Sequence, residues 1–103
     1  MKYQLVFQFR GDSLADYDAM IALEDALIEQ LRGTAMVDGH DMGSGERNIF
    51  IFTSDPAATF HRARPVLERG HQLESVTAAY REVEGEEFTV IWPEGSTEEF
   101  RVA

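Results

Sequence analysis

Within one short stretch, Asp38, His40, Asp41, Ser44, Glu46 and Asn48 gather most of the chemistry-bearing side chains this chain can offer at close spacing. One imidazole beside up to three carboxylates is a hard-leaning donor set that could hold zinc, manganese or calcium. An EF-hand, however, places carboxylates at alternate positions and a glutamate at the twelfth, and this spacing does not match it. The residues therefore call for no metal and no cofactor. General acid/base work by His40 beside Asp38 or Asp41 is conceivable, because a neighbouring carboxylate favours the protonated imidazole. Ser44 and His40 lie four positions apart, but a catalytic triad is a spatial arrangement, and no Gly-x-Ser-x-Gly elbow is present. Gly43-Ser44-Gly45 could form an anion nest, yet it lacks the downstream Gly-Lys-Ser/Thr of a phosphate loop and leads into a strand. The six residues are thus expected to contact a ligand or partner, if they do more than sit solvated between two strands. His61 and His71 read as surface or helix-end residues.

The elements around this segment follow from periodicity. Tyr3, Leu5, Phe7 and Phe9 alternate with Gln4, Val6, Gln8 and Arg10, which predicts a half-buried strand. Residues 16–32 switch to helical spacing, with Tyr17, Met20/Ile21, Leu27/Ile28 and Leu31 as the expected buried stripe and Leu23 at its edge. Gly33 marks the stop. Thr34 to Val37 could be a short strand, whereas residues 38–45 are too rich in glycine and polar side chains for regular structure. In a plainer alternative, those glycines make bulges or turns between two strands. Arg47 to Thr53 is a nearly unbroken apolar run, as expected of a central strand. Ser54-Asp55-Pro56 is a helix start, and the helix from Pro56 to Arg69 should kink or break at Pro65. Ser75 to Val83 and Phe88 to Trp92 alternate as strands about a turn at Glu84-Gly85-Glu86, and Phe100-Arg101-Val102 is expected to add an edge strand. Trp92 falls with Phe88 and Val90 and reads as a core residue, or as an interface anchor should the hairpin overhang the open sheet face.

The order β-α-β-β-α-β-β predicts a single α+β domain: a ferredoxin-like βαββαβ antiparallel sheet, two helices on one face, and an extra C-terminal hairpin strand. Val37-Asp38-Gly39-His40-Asp41-Met42-Gly43-Ser44-Gly45, followed by Asn48-Ile49-Phe50-Ile51 and Asp55-Pro56, resembles a pattern in small uncharacterised bacterial proteins. The likeness covers residues 37–56 and implies no activity. The element order is also similar to ferredoxin-like domains, including small-ligand regulatory domains and dimeric monooxygenases of the antibiotic-biosynthesis type. That similarity implies a fold, and no catalytic residue carries over from it.

Composition narrows the function class. The 103 residues carry 19 acids against 9 Lys+Arg, for a net charge of −10. Such a surface disfavours nucleic acid and anionic membranes. Without cysteine there is no disulfide, thiolate or iron–sulfur chemistry. No apolar stretch is long enough to span a bilayer. Met1-Lys2-Tyr3-Gln4 enters a strand pattern instead of a signal peptide, so a soluble cytoplasmic domain is expected. Residues 11–31 hold six acids and no base, residues 82–103 hold seven acids and only Arg101, and Arg62, Arg64 and Arg69 gather on the second helix. This polarity points to an acidic interaction domain that masks a basic protein partner, as immunity proteins mask toxin nucleases. The alternative is a small enzyme or ligand-binding domain built on residues 38–48. A homodimer is also expected, with Val6, Thr77, Ala79 and Ile91 as candidates for an apolar sheet face buried between copies.

Overall fold

The structure, a computed structural model, describes residues 1–102. Its elements run β1 (Tyr3–Arg10), α1 (Leu14–Gln30), β2 (Met36–Gly43), β3 (Glu46–Thr53), α2 (Pro56–Arg69), β4 (Thr77–Glu82) and β5 (Thr89–Trp92). The five strands form one sheet in the order β2-β3-β1-β4-β5, every neighbour antiparallel. This is the ferredoxin-like arrangement with one added strand at the β4 edge.

Both helices pack on the same face because strand alternation supplies an apolar layer there. Leu5, Phe7 and Phe9 of β1 and Ile49 and Ile51 of β3 are buried against Met20, Leu23, Leu27 and Leu31 of the α1 segment and Phe60, Ala63, Val66 and Leu67 of α2. Burial of these side chains, at roughly 1.5–3 kcal/mol for each one larger than alanine before chain entropy is subtracted, is the main force holding the layers together.

The helix ends are set by local chemistry. Ser13 caps α1 in a reciprocal box: the Asp16 amide donates to Ser13 Oγ, and the Ser13 amide donates to the Asp16 carboxylate, both at 3.1 Å. Asp55 caps α2 by accepting from the Ala58 amide at 3.1 Å, with Pro56 in the first turn. Of the kink or break expected at Pro65, the break does not occur, and α2 runs from Pro56 to Arg69 as one helix. His61, whose carbonyl loses its partner there, is on an exposed part of the helix, where water can serve that carbonyl.

Three other expectations are corrected. Residues 38–45 are not irregular throughout: Asp38 to Gly43 belong to the edge strand β2, and the glycines make a register shift between Val37 and Gly39 and a turn, as the plainer alternative has it. Ser44 and Gly45 make a two-residue hairpin loop at φ 54° and 78°, the left-handed pair that matches strand twist. On α1 the buried stripe is Met20, Leu23, Leu27 and Leu31, while Tyr17 and Ile28 stay 37% and 44% exposed. Phe100 to Val102 add no strand. That segment lies over the helix-free face instead, where the Gln8 side-chain amide donates to the Arg101 carbonyl at 2.8 Å and the Phe88 and Phe100 rings sit 4.9 Å apart.

Candidate functional site

Strand alternation separates the six candidates. His40 pairs with Ile49 and so projects on the helix side, whereas Asp41 pairs with Asn48 and projects on the open side. His40 Nδ1 lies 2.9 Å from Glu24 Oε2 of α1, and Tyr17 meets the imidazole edge-on at 6.1 Å. The pair is partly sheltered, with 29% of the histidine side chain and 13% of the glutamate side chain exposed. It fastens the edge strand to the helix above it.

On the other face, Asn48 is buried to 1% exposure and holds a polar network. Its amide donates to Asp41 Oδ1 at 2.9 Å and to Glu46 Oε2 at 2.8 Å. Gln8 donates to Asn48 Oδ1 and to Glu46 Oε2, both at 3.0 Å, as well as to the Arg101 carbonyl. Its two amide hydrogens are therefore shared among three acceptors. Ser44, at the hairpin tip, borders an open-face cleft of about 830 Å³ that Gln8, Glu46, Thr77, Val90 and residues 93–101 also line. Asp38 stands at the strand irregularity, exposed.

The structure thus brings Asp41, Glu46 and Asn48 together, places Ser44 at the rim of the neighbouring cleft, and puts His40 across the sheet. A base at His40 oriented by Asp38 and Asp41 is not assembled. Among the described residues, no three His, Asp or Glu side chains converge as a metal site, and no helix is long and apolar enough to cross a membrane.

Two residues that sequence reading passed over organise this region. Arg47 is 8% exposed; its guanidinium donates to the Asp16 carbonyl at 3.1 Å and to the Arg10 carbonyl at 2.9 Å, and packs over the Phe9 ring at 5.2 Å. Its Nε is the one buried side-chain nitrogen among the described residues without a hydrogen-bond partner. The hairpin tip is also tied to the β1–α1 connection: the Gly11 amide donates to the Gly45 carbonyl at 2.7 Å, and the Gly45 amide to Asp12 at 3.2 Å. Gln8 is the other residue missed. A lone polar residue in an alternating strand gives no hint that it will bridge to a segment more than ninety positions away.

The acidity of Asp16 is raised by its local hydrogen bonds. The hydrogen bond from the Ser13 backbone, then that from the Ser13 side chain, hold its carboxyl below the usual aspartate value; Arg47 adds to this and partial desolvation opposes it.

Trp92 packs against the core as expected, but the register shift between Ala78 and Ala79 puts it across the sheet from Val90 and Phe88, with which alternation groups it. Its ring stacks on Phe60 at 5.7 Å, its Nε1 donates to the Leu73 carbonyl at 3.0 Å, and Arg64 lies over it at 4.7 Å. Two of the three arginines of α2 are engaged inside the chain too: Arg62 donates to the Gln30 carbonyl, and Arg64 pairs with Glu68. Val6 and Ala79, expected on an uncovered face, are both fully buried within one chain, and Thr77 and Ile91 are half-buried.

The acidic regions occupy opposite faces of the sheet. Asp18, Asp25 and Glu29 share the solvent side of α1, on the helix face, since their spacing returns to one direction of the helix. Glu86, Glu87, Glu98 and Glu99 surround the Phe88–Phe100 pair on the open face, lining a second cleft of about 690 Å³. No family model matches the chain, and no curated protein is significantly similar to it.

Proposed function

We propose that this chain is a non-enzymatic interaction domain that docks and masks a basic protein partner. Its exposed, uncompensated acids carry the proposal: Asp18, Asp25, Asp38, Glu84, Glu86, Glu87, Glu94 and Glu98 are exposed, and no ion pair among the described residues involves them. Of the cations, Arg47 is buried, and Lys2, Arg32, Arg64 and Arg101 already pair with acids of this chain. Arg10, Arg62, Arg69 and Arg81 have no acid partner among the described residues. The negative excess of a chain of net charge −10 is therefore concentrated where the exposed acids stand, which raises the encounter rate with a positive partner and repels negative ones. Residence in the cytoplasm belongs to the same proposal.

The enzyme or ligand-binding alternative on residues 38–48 needs His40 beside Asp38 and Asp41, and strand alternation sets His40 and Asp41 on opposite faces. A second copy of the chain is the other partner that the fold class suggests. The strip left for it on the open face is Met36, Phe50 and Phe52, neighbours in the β2–β3 ladder that are at most half-buried.

Affinity capture from the native lysate at low ionic strength tests the main reading. The tagged chain should retain a protein of high isoelectric point, and the variant Asp18→Lys/Asp25→Lys/Asp38→Lys should retain less of it. Capture of nothing by either, or equal capture by both, contradicts the reading.

A further inference from the structure

The residues that break the expected α1 stripe mark a place. Tyr17, Ile21, Glu24 and Ile28 recur at three- and four-residue spacing and so form one flank of the helix. Glu24 and Tyr17 both meet His40, so this flank leans over β2. Tyr17 and Ile28 on it are large and apolar, yet they remain exposed. Directly beneath them, β2 ends the sheet: among the described residues β3 is its only strand neighbour, and the outward amides and carbonyls along Met36–Gly43 have no ladder to join. Edge strands are commonly protected by lysine, and β2 has none; Asp38 and Asp41 stand along it, and α1 carries no Lys or Arg.

We propose that the β2 edge, with the Tyr17–Ile28 flank above it, receives an extended basic segment of the partner as a sixth strand. This rests on the proposed masking of a basic partner and names the surface that does it. Main-chain hydrogen bonds to β2 supply affinity, because they satisfy groups that otherwise face water. Alternate side chains of the added strand turn toward α1, where apolar ones cover Tyr17 and Ile28. The intervening basic side chains meet Asp41, and Asp38 adds to the negative field along the edge. Charge decides the occupant. Two copies joined edge to edge would bring Asp38 and Asp41 of each chain against those of the other, whereas a lysine- or arginine-bearing strand meets both with opposite charge.

A synthetic peptide alternating valine and lysine over the length of β2 tests this, titrated into isotope-labelled protein at low ionic strength. Amide shifts should concentrate in Met36–Gly43 and along the Tyr17–Ile28 flank, with slowed hydrogen exchange in β2. Methylating alternate backbone nitrogens of the peptide, which removes its ladder donors, should weaken binding by roughly tenfold or more. A valine–glutamate peptide should not bind. Shifts centred on Phe88 and Phe100, or binding indifferent to methylation, would overturn the edge-strand site while leaving a basic partner intact. Equal binding of the glutamate peptide, or no binding of the lysine peptide anywhere, would overturn both. A two-chain mass without peptide, with β2 amides protected, would assign the edge to a second copy and also overturn the proposal.

Discussion

Asn48 illustrates how a polar side chain is kept inside this protein. Its amide reaches Asp41 and Glu46 and its carbonyl takes a hydrogen from Gln8, so burial leaves none of its groups without a partner. Asn48→Ala strips those three neighbours of a shared partner and should cost about 1–3 kcal/mol in urea denaturation. Ser13 and Asp16 make a second local case. Because the folded carboxyl of Asp16 is held below its ordinary value, its contribution to stability is present above about pH 4 and is lost as pH falls through the lower folded value. Asp16→Asn should therefore be less stable than the parent near neutrality, with the gap closing in acid; a gap that widens in acid would contradict the assigned cause. Arg47 was a residue whose role could not be read from type or spacing. An arginine opening an apolar run looks like a solvated strand end, and only the fold shows it spanning two backbone carbonyls.

Among the elements, what could be read in advance was whatever obeyed one dominant period. The β1 alternation, the Arg47–Thr53 run and the capped start of α2 all match the structure. Only the start of β2 is legible, in the strand expected at Thr34 to Val37, because glycines and charges along Asp38–Gly43 suppress the alternation that marks a strand, and its regularity there comes from pairing with β3. α1 was found but turned slightly about its axis. Its apolar residues cover two adjacent flanks, Met20-Leu23-Leu27-Leu31 and Tyr17-Ile21-Ile28, and periodicity alone ranks them equally. Only packing on the sheet selects the first. Leu23→Ala should accordingly cost about 2–5 kcal/mol in thermal or chemical unfolding. Ile28→Ala should fall within roughly 0.5 kcal/mol of the parent. Similar losses at both positions would show that the two flanks are equally buried. The C-terminal segment escaped the sequence reading for another reason: its seat on the open face depends on Gln8, Phe88 and Phe100, which are remote from one another in sequence.

For the molecule as a whole, the ferredoxin-like sheet sorts an acidic but polarised composition into distinct surfaces. Helix-face acids line the solvent side of α1, near the β2 edge, while open-face acids ring the Phe88–Phe100 pair. Of the six candidate residues, only Asp41, Glu46 and Asn48 form one cluster, since alternation along a strand sends neighbours to opposite faces. On the proposed reading these surfaces recognise a partner by charge, and recognition by charge carries a quantitative signature. Exposed charges are screened over about 10 Å at ~0.1 M salt, so association driven by them weakens as salt rises. The most direct measurement is the dissociation constant of the captured complex between ~50 mM and ~500 mM salt, where screening length shortens severalfold. A basic partner docked on these acids should bind at least roughly tenfold more weakly at the upper end, chiefly through slower association. An affinity that stays constant, or strengthens, with salt would contradict docking by charge.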